Sequence, residues 1–256
     1  YDEMSAAVVI PVYKQEMSEM EEISLMQCLK ILGDFPVFII CPKNFNKQSY
    51  EKFNLTFEEF ETHYFKGISG YNSLMLASHF YERFLNYDYI LIHQLDAFIF
   101  KNELENWCSK SYDYIGAPWL ATNNLTSKIL KPFQSKKKKK RAPIFYKVGN
   151  GGLSLRKTQV FYQISNELAP LIKEQLEKKD EIYAIEDVFW SLKVPEYFPN
   201  FNIPDYKIAA AFALDRKPKI GLKINAGQLP LGCHGFNKPK VVDFWMPIIK
   251  AQFQKK

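Results

Sequence analysis

Residues Tyr89 to Phe100 read YILIHQLDAFIF. The run is apolar at both ends and polar in the middle. Its first half predicts a central strand buried on both faces, because strands of a parallel sheet read as near-continuous apolar runs. The polar centre, His93-Gln94-Leu95-Asp96, then falls at the carboxyl end of that strand, where open α/β sheets gather their ligands.

Upstream, Ala6 to Val12 (AAVVIPV) and Val37 to Cys41 (VFIIC) are two further buried strands. Between them Leu25, Cys28, Leu29 and Leu32 recur at helical spacing until Gly33-Asp34 stops the pattern. Strand, helix and strand in this order predict parallel strands with a covering helix. Gly67 to Asn72 (GISGYN) reads as a turn, followed by an amphipathic helix through Leu74, Ala77, Tyr81 and Leu85 that ends at Asn86.

Downstream, Tyr112 to Trp119 reads as a strand and turn, and Phe145 to Arg156 as a strand with a glycine hinge. Thr158 to Lys179 is helical with an interruption at Pro170, and Ile185 to Leu192 resembles the first turns of a helix. Val194 to Asp215 is proline-rich and loop-like. Phe244 to Phe253 closes the pattern as an amphipathic segment with Trp245, Ile249 and Phe253 on one face. With no repeat and no clean linker, the expectation is one α/β domain over 1–256, with a mixed, mostly parallel central sheet flanked by helices.

Composition excludes several classes. Of 256 residues, 47% are hydrophobic and 24% charged, which excludes a wholly disordered chain. The net charge of +6 resides in one run, Lys136 to Arg141; without those six cations 28 Lys and Arg face 28 Asp and Glu. The remainder is neutral, so a distributed basic surface for nucleic acid is not expected. The run itself predicts a solvated, flexible basic loop over 120–143. Cys28, Cys41, Cys108 and Cys233 form no CxxC pair. They fit reduced thiols and a cytoplasmic protein. No apolar stretch is long enough to span a bilayer, and the N-terminus lacks the layout of a signal peptide.

Four features are candidates for chemistry. Asp96, after the apolar strand, suits a divalent cation that clamps a diphosphate, or else caps a turn. Glu186 and Asp187 either favour a helix N-terminus or offer a carboxylate base in a cleft. Gly149-Asn150-Gly151-Gly152 weakens any strand, so it marks a sharp bend or a close approach to the backbone. It lacks the spacing of a dinucleotide fingerprint. His234 is a metal ligand or a structural histidine. HExxH, P-loop, nucleophile-elbow and zinc-cluster patterns are all absent.

Taken in order, GYN (70–72), QLDAF (94–98), YIGAPW (114–119), GNGGLSLR (149–156), EDVFW (186–190) and CHGF (233–236) resemble an uncharacterised bacterial family of predicted GT-A glycosyltransferases across nearly the whole chain. The wider pattern of inverting GT-A enzymes is similar: a DxD-like motif after a strand, a GG segment, an ED pair and a late histidine. That resemblance implies a single GT-A domain, with 1–100 as the nucleotide-binding half and 101–256 as the acceptor-binding half. It implies that Asp96 and His234 hold Mn2+ or Mg2+, that Asp187 is the base and that Glu186 holds the acceptor. Asn72, Gln94, Asp96, Gly151 and Gly152 would contact a nucleotide-sugar donor, a UDP-sugar foremost. Pro11 to Tyr13 would flank its base, and Trp119 or Trp190 would stack on a sugar face. The acceptor would be a glycan or a lipid-linked hydroxyl.

One departure stands out. Gln94 replaces the first acid of DxD, and an amide is a weaker ligand for a hard cation. It keeps open a metal-free reaction in which Lys or Arg neutralises the phosphates, and a catalytically inactive sugar-nucleotide or glycan-binding module. A retaining transferase or a nucleotidyltransferase on a similar fold is a further alternative. The basic tail with Lys250, Lys255 and Lys256 either packs on the domain or rests on an anionic membrane at its inner face.

Overall fold

The computed structural model describes residues 4–121, 142–178 and 182–253. Its centre is a six-stranded sheet in the order β3-β2-β1-β4-β7-β6. The strands are β1 (Ala6–Pro11), β2 (Val37–Pro42), β3 (Thr56–Phe60), β4 (Tyr89–His93), β6 (Tyr114–Pro118) and β7 (Val148–Lys157). β1 pairs in parallel with β2 and β4, and β2 with β3. β7 alone runs against its neighbours, β4 and β6. The apolar runs that predicted β1 and β4 are buried, β4 throughout and β1 up to Pro11, because helices cover both faces.

One covering helix, Glu19–Leu32, begins at a capping box: the Ser18 hydroxyl accepts from Glu21 N–H, and the Glu21 carboxylate accepts from Ser18 N–H. Its Leu25, Cys28 and Leu32 join the core on one face of the sheet. Phe80, Tyr81, Phe161 and Trp190 fill the other. A second sheet of three short strands, β5 (Ala97–Ile99), β9 (Gly232–His234) and β8 (Ala213–Leu214), stands beyond the carboxyl end of β4 in the order β5-β9-β8. The final helix, Val242–Phe253, packs on it through Trp245 and Ile249. Among the described residues no helix is long and apolar enough to cross a membrane.

Several sequence expectations need correction. Gly67 to Asn72 is the opening of a helix, Gly67–Leu76, rather than a turn. The reversal is confined to Gly67, at φ +71. The expected continuation to Leu85 breaks at Ala77, whose backbone is extended, and a short helix Ser78–Glu82 follows. Phe80 and Phe84 thereby enter the core while Leu85 stays outside. The segment read as loop over Val194 to Asp215 holds helices Val194–Tyr197 and Tyr206–Phe212, the second capped by the Asp205 carboxylate. Pro170 separates two helices, Thr158–Glu167 and Ala169–Glu177, and occupies the first turn of the second, where its missing N–H costs nothing. Most of the basic loop, 122–141, lies outside the described residues, as does Lys179.

Candidate active site

The carboxyl ends of β1 and β4 open into a cavity of about 560 Å³. Pro11, Tyr13, Asn72, Gln94 and Asp96 line it, and so do Gly151, Gly152, Glu186, Asp187 and His234. These ten of the residues singled out from the sequence therefore share one space. Trp190 does not: it is buried in the core against Phe161, with ring centroids 4.0 Å apart, and cannot stack on a sugar. Trp119 is also absent from the cavity wall.

Strand register builds the first cluster. β5 pairs with β9 so that Ala97 sits opposite His234, and Phe236 N–H donates to the Asp96 carbonyl at 3.2 Å. Asp96 Oδ1 then lies 3.1 Å from His234 Nε2. At the end of β4, Gln94 N–H donates to the Gly152 carbonyl, and Gln94 Oε1 lies 3.1 Å from the same imidazole nitrogen. A carboxylate, an amide and an imidazole thus converge. Donor atoms on adjacent corners of an octahedron of radius about 2.1 Å stand roughly 3 Å apart, and the two separations from His234 Nε2 are of that size. Asp96 Oδ1 is buried and makes no hydrogen bond, which leaves it available as a ligand. Among the described residues no group of three or more His, Cys, Asp and Glu side chains is arranged for a metal; here the third donor is the Gln94 amide. Burial acts to raise the Asp96 carboxyl, yet His234 beside it and Lys238 beyond hold it below its ordinary value.

The second cluster is acidic. Glu186 and Asp187 open a helical run, Glu186–Val188, that passes through a π-helical turn, Phe189–Lys193. Asn72 Oδ1 accepts from Glu186 N–H at 3.2 Å and ties this run to the helix Gly67–Leu76. Glu186 Oε1 pairs with Arg156 Nη2 at 3.1 Å, and both side chains are buried. Asp187 Oδ2 accepts from Gly151 N–H at 3.2 Å, while Oδ1 has no hydrogen-bond partner. Burial, and then the neighbouring Glu186 charge, push the Asp187 carboxyl up to about 7. A carboxylate of that basicity, facing a cavity, is suited to take a proton at neutral pH.

The glycines join the two clusters. A Cβ on Gly151 would stand 2.0 Å from Glu186 Oε1, and one on Gly152 would stand 2.0 Å from His234 Nε2. The close approach expected at this segment is therefore made by the protein's own acid and imidazole. Three polar residues here were missed by sequence reasoning. Asp215 and Lys238 line the cavity, and Arg156 lies beneath it. Lys238 Nζ sits between two acids, 3.8 Å from Asp96 Oδ2 and 3.9 Å from Asp215 Oδ1. Like Asp96, Asp215 is an acid that follows an apolar strand, but its strand β8 is only two residues long. Arg156 had no signal beyond a cation in a strand that is otherwise buried.

Residues 54–234 match a family described as "Protein of unknown function (DUF5672)". No curated protein matches the sequence. Among solved structures, an active-site mutant of LgtC superposes with a TM-score of 0.58 at 12% identity, covering 96% of this chain and 94% of that one. Mouse xyloside xylosyltransferase 1 gives 0.55 at 9%, covering 93% and 99%. GlyE, a glycosyltransferase of Streptococcus pneumoniae TIGR4, gives 0.52 at 11%, covering 98% of this chain and 63% of its own. LgtC and the xylosyltransferase are GT-A glycosyltransferases, and the fold of this chain is the same α/β architecture.

Proposed function

The chain belongs to the DUF5672 family, and from that premise and the cavity we propose that it is a glycosyltransferase that moves a sugar from a nucleotide-diphosphate donor, a UDP-sugar foremost, to a hydroxyl of a glycan or lipid-linked acceptor. The observation that carries this reading is the convergence of Gln94, Asp96 and His234 in the same cavity that Asp187 lines. A fold shared with glycosyltransferases adds the class of chemistry.

In this reading Gln94, Asp96 and His234 hold Mn2+ or Mg2+. The cation, when bound, supplies a Lewis acid for the charge that grows on the leaving diphosphate. Lys238, half-exposed at the rim and within 4 Å of Asp96, neutralises the same phosphates. Pro11 and Tyr13, at the end of β1, flank the base; Tyr13 is 63% exposed and free to stack. Asn72 holds the helical run that carries the acids. Glu186, clamped by Arg156 and lining the cavity, helps to orient the acceptor hydroxyl. The Asp187 carboxylate takes the hydroxyl proton as the oxygen attacks the anomeric carbon from the face opposite the diphosphate, so the product is inverted.

A thermal-shift panel of nucleoside diphosphates with and without Mn2+ tests donor and cation together, since a ligand of the folded state stabilises it by about 2.7 kcal/mol at a hundredfold excess over Kd. UDP with Mn2+ is expected to raise Tm most. A panel in which no nucleotide shifts Tm under either condition removes the donor reading. Slow donor hydrolysis then separates an enzyme from an inactive binding module, and the anomeric configuration of the product by NMR separates inversion from retention.

A further inference from the structure

His234 turns its two ring nitrogens toward different partners. Nε2 faces Gln94 Oε1 and Asp96 Oδ1, each at 3.1 Å. Nδ1 faces Asp215 Oδ1 at 3.8 Å, and both of these atoms are buried without a hydrogen bond. The other carboxylate oxygen of Asp215 is tethered: Oδ2 accepts from Asn150 Nδ2 at 2.9 Å, and Arg216 Nε lies 3.7 Å from it. Asn150 is itself oriented, because its Oδ1 accepts from Gly152 N–H at 3.2 Å. Asp215 therefore keeps one oxygen bound and presents the other to the imidazole. Lys238 Nζ, 3.9 Å from that oxygen, is the other group nearby, but its side chain is 43% exposed whereas those of Asp215 and His234 are 5% and 8%.

A neutral imidazole carries one proton, and the nitrogen that gives its lone pair to a cation cannot keep it. Ligand histidines commonly donate the other N–H to a carboxylate, which holds both tautomer and ring orientation. Resting on the cation site proposed above, we propose that Asp215 is a positioning residue: it receives Nδ1–H of His234 and holds Nε2 toward Gln94 and Asp96. The glycine-rich segment takes part twice, since Asn150 aims Asp215 and Gly152 leaves room for the ring.

Mn2+ affinity of the full chain, read by electron paramagnetic resonance, tests both levels. Wild type is expected to bind Mn2+, and Asp96→Asn to lose it. Asp215→Asn is expected to bind roughly 10- to 100-fold more weakly, with an unchanged circular dichroism spectrum. Its amide can satisfy Asn150 only by turning a donor toward Nδ1–H. Absence of Mn2+ binding in wild type, or equal binding in Asp96→Asn, sinks the cation site itself. Wild-type affinity in Asp215→Asn, with Asp96→Asn still defective, sinks the role of Asp215 alone. Nitrogen-15 NMR of the wild-type protein with Mg2+ needs no variant. A slowly exchanging His234 Nδ1–H is expected, and a proton on Nε2, or a freely exchanging Nδ1–H, overturns the assignment.

Discussion

Arg156 Nη2 lies 3.1 Å from Glu186 Oε1 with both side chains out of reach of solvent, although 30 residues separate them. Arg156 also donates to the Tyr81 hydroxyl at 2.8 Å and to Ser154 Oγ at 3.1 Å, and lies over the Tyr114 and Phe161 rings. Such a pair repays its desolvation only when its remaining hydrogen bonds are satisfied. Arg156→Leu leaves the Glu186 carboxylate uncompensated and is expected to cost about 3–5 kcal/mol. Urea unfolding midpoints measure it; a midpoint within error of wild type would mean that the pair carries no stability.

Asp187 should govern the pH profile. Its carboxyl titrates at about 7 in the folded protein, so kcat/KM is expected to rise with pH up to about 7 and then level. Asp187→Asn should keep UDP binding and lose roughly 100- to 10,000-fold in turnover. Unchanged turnover in this variant removes Asp187 from the role of base.

The same group has an effect on stability of opposite sense. Its folded value, about 7, is above the ordinary 3.8, so the folded state holds the extra proton between those limits. The stabilisation is fully present below pH 4 and is lost as pH rises through 7. Melting curves of Asp187→Asn should therefore run a few degrees above wild type at pH 8, with the gap closing toward pH 4. A gap that is constant across this range would contradict the raised carboxyl.

Gly152→Ala forces a methyl group into the His234 ring. Overpacking of this kind costs about 1–3 kcal/mol, and the displaced imidazole should lose Mn2+ affinity as well. A variant with wild-type Mn2+ binding by calorimetry would show that the ring tolerates displacement.

Lys238→Gln removes the cation between Asp96 and Asp215. A charge-assisted contact to phosphate is worth about 1.5–3 kcal/mol, or roughly 10- to 100-fold in the Kd of UDP. Equal affinity for UDP in both proteins would exclude Lys238 from the diphosphate.

The legible part of this protein is the part set by local pattern. Buried parallel strands require near-continuous apolar runs, so β1, β2 and β4 stand out in the sequence, and so does the ligand edge where β4 ends. Asp96, Asp187 and His234 were found because each sits in a short motif: an acid after a strand, a paired acid at a helix start, and a histidine beside glycine. The helix opening at Gly67 was misread because a single left-handed residue makes the turn, and the following glycine that suggested more of it, Gly70, instead packs against the His63 and Tyr64 carbonyls. Arg156, Asp215 and Lys238 carry no comparable local pattern. Their roles come from pairing across the chain: the register of β5 on β9, the tether from Asn150 to Asp215, and the burial of Arg156 under Glu186. Sequence alone determined which strands are central and where their ends gather polar groups, because hydrophobic periodicity is local. Only the tertiary structure decided which distant acid meets which base, because the energy of a buried charge depends on what surrounds it in space.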